Sequence, residues 1–600
     1  MTTAAAPPSP PFVLSVGITG HRADGLGAGD LRALSGRIEQ TLRLVEQTGR
    51  SIFAECPDLF AKDGPRFRLI SPLADGADQA AAEAALAIGW ELQAILPFDR
   101  ERYRASLSND PARIAFDRLL SAASMVLELP GAGDGQVDDY VMAGRATVAH
   151  SDLVIAVWDG QPARGRGGTG DVAGQVITSG TGLIHLPPGD GNESRLVWSA
   201  FDPNVLTVAD SMSVSRPCDS QHLDRLLRTL LLPPDDPDER DFLRQFGGER
   251  LRSYRARIEY PLLLNLFGVR RIRAGDIAES HCQRQIEEEW RSYRSGCPEA
   301  HGISAPIDLL EEAYGWADRL ATHFAQTYRS GHIFAFVLGG AAVCLGLSAF
   351  MAPHLKIYFA IAEIIVTVGI ILNAVVGNRN AWHRRWLDYR QLAERLRPMR
   401  SLKLLGIAAP DPPGTRTNPV PRRWIDWYAI AIWRAMGAPG GAIDRSAAKC
   451  LAVAVADYEV EPQVRYHRRN SQLIESLDHR LEWVGTGLFA ATLIVAAANL
   501  VGILTGARFV ETYGNWFSLI EAGFPALGTA IFGIRFQADF GGDALRSMTT
   551  AQTLERIDSE LRKDIDLTRA ADLTEQAARI MLSDLDEWRL VNQQRQLEMG

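Results

Sequence analysis

Residues 333–376 leave this chain few options. Ile333 to Met351 carries no charged residue over 19 positions, about 28 Å of helix, which matches the hydrocarbon core of a bilayer. Ala352-Pro353-His354-Leu355-Lys356 turns the chain, and Ile357 to Val376 runs back with one ionisable residue, Glu363, inside an apolar stretch. Val484 to Leu504 and Asn515 to Ile534 repeat the arrangement, with Glu521 in the returning run. Backbone polar groups in lipid must be satisfied internally, so each run is expected to be a helix. The expectation is an α-helical membrane domain with four transmembrane helices in two hairpins.

Composition alone would hide this, because 22% charged and 46% hydrophobic residues over 600 positions average the spans with a soluble remainder. A net charge of −9 and the lack of a base-reading motif argue against a nucleic-acid polymer as partner. The six cysteines form no C-x-x-C pair and no metal-like grouping with histidine, so no metal site is expected and the thiols fit a reduced compartment. Met1 to Pro11 has neither a basic nor an apolar signal region, so insertion is expected to rely on the internal helices. Arg329, Arg379, Arg384, Arg385, Arg465, Arg468, Arg469, Arg480 and Arg535 flank the span ends shared with the large soluble parts. The short loops carry only Lys356 and the Arg508/Glu511 pair, which places both termini and the middle segment in the cytoplasm.

The first 210 residues alternate strand and helix signals. Phe12 to Val16 reads as a strand running into a turn at Gly17-Ile18-Thr19-Gly20-His21-Arg22. Arg66 to Ile70 leads through Ser71-Pro72-Leu73-Ala74-Asp75-Gly76-Ala77-Asp78 into an alanine-rich helix, whose first N–H groups can hold an anion; Asp75 and Asp78 could equally only cap that helix. Glu91 to Leu96, Leu153 to Val157 and Gly182 to Leu186 are further strands, and Gly165-Arg166-Gly167-Gly168-Thr169-Gly170-Asp171 is a third glycine-rich loop. Loops at the carboxyl ends of alternating strands argue an α/β Rossmann-like N-terminal domain with a ligand site where they converge. The candidate contacts are Gly20, His21, Arg22, Ser71, Asp75, Gly76, Asp78, Gly167, Gly168 and Thr169, with Arg22 suited to a phosphate.

On those three motifs the first third of the chain resembles the SLOG superfamily, Rossmann-like domains that include the DprA and lonely-guy (LOG) proteins. The resemblance implies a nucleotide or nucleotide-derived ligand and no further cofactor. LOG enzymes carry a glutamate just after the glycine loop, where this chain has Asp171, Val172, Ala173 and Gly174. Catalytic residues therefore stay unassigned, and a LOG-like nucleotide or N-glycosidic-bond hydrolase remains the alternative.

Residues 211–304 read as a connector, in which Tyr254 to Arg273 mixes an apolar patch with arginines. From Ala305 the pattern of Leu309, Leu310, Ala313, Tyr314, Ala317 and Leu320 predicts a helical arm running into the first span, with at most a small break at Gly331. Trp382 to Met399 has an aromatic and basic start that suits the membrane interface. Residues 401–463 form a linker in which Trp424, Trp427, Tyr428 and Trp433 mark a helix for the membrane surface, for a protein interface or for core packing. A second arm and hairpin occupy residues 464–540, and residues 541–600 read as cytoplasmic helices. Tyr358 to Glu363 aligns with Trp516 to Glu521, which suggests a diverged repeat. An acid within a span is costly unless protonated, paired or facing water, so Glu363 and Glu521 are candidate polar positions in the membrane.

The arm, the hairpin and Trp386-x-x-Tyr389-Arg390-x-x-Ala393-Glu394 resemble the SLATT family, two-transmembrane effectors that accompany SLOG sensors in bacterial antiphage defence. Together the two resemblances imply a receptor-effector of the bacterial inner membrane. It would bind a nucleotide-derived signal and act on the lipid bilayer as a homo-oligomer, by pore formation or disruption.

Overall fold

The computed structural model describes residues 6–22, 28–133, 137–161, 166–189, 193–198, 215–297, 302–410, 422–506 and 508–592. Its N-terminal region is built on a mixed sheet of β1 (Val13–Gly20), β2 (Arg66–Ser71), β3 (Glu91–Leu96), β4 (Met125–Glu128), β5 (Leu153–Val157), β6 (Gly182–Leu186), β7 (Arg195–Val197), β8 (Arg216–Pro217) and β9 (Gly441–Ala442). The spatial order is β8-β7-β6-β5-β1-β2-β3-β4-β9. Neighbours from β6 across to β9 run parallel, and β7 and β8 add an antiparallel edge. The central strands are apolar and buried on both faces, as helices covering a parallel sheet require. Counting outward from β1, the chain fills one side through β4 and then returns to the other with β5. The loops after β1 and β5 therefore part at a topological switch point, where α/β sheets hold their ligands.

The structure differs from the sequence expectation at the first motif. The glycines read as a turn lie inside β1, which continues to Gly20. They are there because other atoms come close: a Cβ on Gly17 would strike Ser151, and one on Gly20 would strike Ala77 and Val157. The turn itself begins at His21.

The helix Trp424–Met436 is buried beneath the sheet, which settles its role as core packing. Trp427 meets Phe60 edge-on at 6.0 Å and donates to the Leu231 carbonyl at 2.7 Å, and Trp433 stacks on His150 at 5.8 Å. The segment after it adds β9 to the sheet next to β4. The helix Trp382–Leu396 also differs from the membrane-surface reading of its aromatic and basic residues. Tyr389 is buried against Phe246 and Phe324, and its basic neighbours find acids within the protein body, Arg385 with Glu249 and Arg390 with Glu394. The helices Phe540–Leu561 and Leu567–Asn592 add Leu554, Ile557, Leu567 and Ala570 to the same core.

Among the described residues, four helices are long and apolar enough to cross a membrane, which marks a multi-pass membrane protein. The first arm is one helix, Asp308–Met351, continuous through Gly331, and a short turn at Pro353–Leu355 joins it to Lys356–Arg379. These two lie side by side: a Cβ on Gly346 would come within 3.6 Å of Glu363 and one on Gly369 within 3.8 Å of Leu338, while Asn373 donates to the Gly331 carbonyl at 3.0 Å. Glu461–Thr505 packs likewise against Arg508–Ala538, with Gly485 under Phe532 and Gly528 under Phe489; the latter helix continues through Pro525. The two pairs meet where Gly340 faces Leu527 and Gly533 faces Phe336. Small residues thus set the close approach of apolar helices, which gain nothing from burial against one another in lipid.

Candidate functional site

The carboxyl ends of β1, β2 and β5 are stitched by backbone hydrogen bonds. The His21 N–H donates to the Val157 carbonyl at 3.2 Å, and the Ala77 N–H donates to the His21 carbonyl at 3.3 Å. This draws the start of the helix Ala77–Ala87 against the end of β1, an approach that Gly20 makes possible by having no side chain. Gly76, at φ +104, makes the turn into that helix in a conformation that favours glycine. Ser71 serves the same turn: its hydroxyl accepts from the Leu73 N–H at 3.0 Å and lies 3.4 Å from the Asp78 carbonyl.

Two carboxyl groups stand at this junction. Asp75 and Asp78 are 2% and 5% exposed, shut off from bulk solvent. Ser108 donates to Asp75 Oδ2 at 2.6 Å, but Asp75 Oδ1 and Asp78 Oδ1 have no hydrogen-bond partner among the described residues. A buried acceptor left so costs about 1–3 kcal/mol, more where it is charged. Burial pushes the Asp78 carboxyl up to about 8, with Asp75 adding to the effect and Ala74 and Arg22 opposing it.

Arg22 lies over the Tyr140 ring, 5.3 Å from its centroid, and its charge acts on both Asp75 and Asp78. Tyr140 sits in the first turn of the helix Val137–Ala149 and also borders the glycine loop, since a Cβ on Gly167 would reach its Cβ at 3.3 Å. The loops after β1, β4 and β5 thus converge around one tyrosine. Tyr103, buried beside Phe98 at 5.3 Å and Phe116 at 5.8 Å, closes the side after β3, and burial pushes its phenol well above its usual value. His21 faces Asp159 across the mouth, with 3.9 Å between Nε2 and Oδ1.

The sequence candidates divide accordingly. His21, Arg22, Asp75 and Asp78 gather at the cleft, Gly20, Ser71 and Gly76 shape its backbone, and Gly167 borders Tyr140. Gly168 caps the helix Thr169–Thr178 without a side chain, and Thr169 is that helix's first residue, half-buried. Asp171 is engaged in shaping the loop, because its Oδ2 accepts from the Gly167 N–H at 2.8 Å. Tyr140 and Ser108 escaped the sequence reading, since nothing in their spacing ties them to the motifs. No group of three or more metal-ligating side chains occurs among the described residues.

In the apolar helices the two glutamates meet different partners. Glu521 accepts from Asn499 at 2.9 Å, whereas the Glu363 carboxylate lies against Gly346. Compared with known proteins, the chain matches no family model, no curated protein and no solved structure.

Proposed function

We propose that the chain is a membrane receptor-effector whose cleft at the ends of β1, β2 and β5 binds a nucleotide-derived molecule. The observation that carries this is the pair of buried carboxylates, Asp75 and Asp78, each with one oxygen unpartnered beneath the Arg22 cation. A ligand with an anionic group for Arg22 and hydroxyl groups, which both donate and accept, for Asp75 and the raised Asp78 carboxyl would satisfy all three, and a nucleotide offers both kinds of group.

The route to the membrane would begin at the helix Val137–Ala149. Tyr140 at its start meets Arg22; farther along, Arg145 pairs with Asp572 at 2.6 Å and Glu575 at 3.1 Å on the C-terminal helix. His150, just past its end, sits 2.8 Å from the Gly406 carbonyl and 3.1 Å from the buried Lys403 amine. A shift of this helix on ligand binding would press on the body from which both long helices leave. The output would be four spans in two hairpins, acting as a homo-oligomer on the bacterial inner membrane with cytoplasmic termini, in antiphage or conflict defence. Glu363 and Glu521 would line or gate the polar pathway. The broad apolar face of Lys356–Arg379, with Ile357, Ile361, Ile364 and Ile365 exposed, supports contact with lipid or with a second copy.

A LOG-like hydrolase reading is favoured by the Asp78 carboxyl, which burial raises as a general acid would need. One experiment separates the two readings: a thermal-shift screen of the full-length chain in detergent against cyclic nucleotides, cyclic oligonucleotides and ADP-ribose derivatives, with the bound compound recovered by mass spectrometry. Recovery of an intact stabilising ligand is the expected result; recovery of a cleaved one establishes the hydrolase.

A further inference from the structure

Residues 254–278 form a flap, closed at its base by the bridge between Tyr254 and Ala278, whose tip carries the helix Glu259–Leu266. The flap is wedged between the two long helices where each becomes apolar. Leu263 and Leu264 pack with Ile333 of one and with Leu477 and Leu481 of the other. Polar contacts fix it at that level: Tyr260 N–H donates to Ser330 at 3.1 Å, Arg257 to Asn373 at 2.8 Å, and Arg480 to the Phe267 carbonyl. Ser330, Asn373 and Arg480 all stand within a few residues of the cytoplasmic ends assigned to the spans.

The outward side of the flap has the composition of a membrane interface. Leu266 is 80% exposed, Leu262 and Ile272 are also exposed, and Arg271 and Arg273 are exposed beside them. Trp483 and Phe536, 70% and 83% exposed, continue the apolar band at the ends of the third and fourth apolar runs. Leu262 and Leu266 on the helix, with Ile272 between Arg271 and Arg273 in the loop that follows it, would bury the apolar side chains among acyl chains and hold the arginines against headgroups.

We infer that this flap is an anionic-phospholipid site: Leu262 and Leu266 enter the interface of the cytoplasmic leaflet, and Arg271 and Arg273 bind phosphate headgroups. The inference rests on the four-span reading but not on any ligand of the cleft. Its partner is the membrane lipid itself, because the arginines stand beside an apolar face that a free anion would leave in water.

The test uses the full-length chain in nanodiscs of phosphatidylcholine alone or mixed with phosphatidylglycerol. Amide exchange over residues 259–273 is expected to be slower in the anionic nanodiscs. In the Arg271→Gln/Arg273→Gln variant, retention of phosphatidylglycerol through detergent purification should fall roughly thirtyfold, the order expected for two surface arginines. Inorganic phosphate at millimolar concentration should leave wild-type retention unchanged. Equal exchange in both nanodiscs, unchanged retention in the variant, or displacement by phosphate overturns the proposal. A chain that never enters the nanodisc overturns the four-span reading and the proposal together, which distinguishes the two failures.

Discussion

Glu394 and Asp78 are both buried acids, and they ionise in opposite directions. Burial raises each carboxyl, but at Glu394 the charges of Arg390, at 2.5 Å, and Arg397, at 2.6 Å, outweigh it and hold the group below the usual range. Asp78 has only the more distant Arg22 and is left at about 8. Glu394 lies in the helix Trp382–Leu396, and Asp78 lies at the start of the helix Ala77–Ala87 beside the carboxyl end of β1. The acid that holds the architecture together is matched by charges from within the chain, whereas the raised Asp78 carboxyl is not.

The largest effect should come from disturbing the matched site. Glu394→Gln leaves Arg390 and Arg397 buried beside a neutral group and should cost about 3–5 kcal/mol, read as a fall in melting temperature at neutral pH. Because the folded value of Glu394 is depressed, its contribution is present above the unfolded value of 4.5 and is lost as pH falls through the folded one. An effect of opposite sign is expected at Asp78. Its folded value is raised, so its favourable contribution is complete below the unfolded value of 3.8 and is lost as pH rises towards about 8. Asp78→Asn should therefore raise the melting temperature at pH 8 and leave it unchanged near pH 3. Equal shifts at both pH values would break the contrast.

Arg22→Ala should cost ligand affinity about tenfold or more, the scale of one charged hydrogen bond, with little change in unliganded stability because the side chain is half-exposed. Isothermal titration with any ligand found by the screen measures it. The smallest effect is expected in the apolar helices, where Asn499→Ala removes one hydrogen bond to Glu521 and should cost about 0.6 kcal/mol in detergent unfolding.

The legibility of these features follows their range along the chain. β3, β5 and β6 were readable because short apolar runs bounded by turn residues are local signals, and the four apolar runs because their length has one common use. β9 was not: two residues, Gly441 and Ala442, complete a sheet whose neighbouring strand ends at Glu128, and only tertiary structure brings them there. The Trp424–Met436 helix was ambiguous for a related reason, since clustered tryptophans suit lipid and protein cores alike until Phe60, His150 and Leu231 are placed against them. Among the candidate residues, Gly20 and Gly167 came from motifs readable along the chain, while Tyr140, which links Arg22 to the third loop, lies in a helix that follows a strand the sequence did not reveal.

The most direct test of coupling between cleft and membrane is ion and dye flux from proteoliposomes carrying the full-length chain, with and without the stabilising ligand, for wild type and Arg22→Ala. The account predicts ligand-dependent release by wild type that Arg22→Ala loses at the same ligand concentration while still inserting. Release that needs no ligand, or that survives Arg22→Ala undiminished, would contradict it.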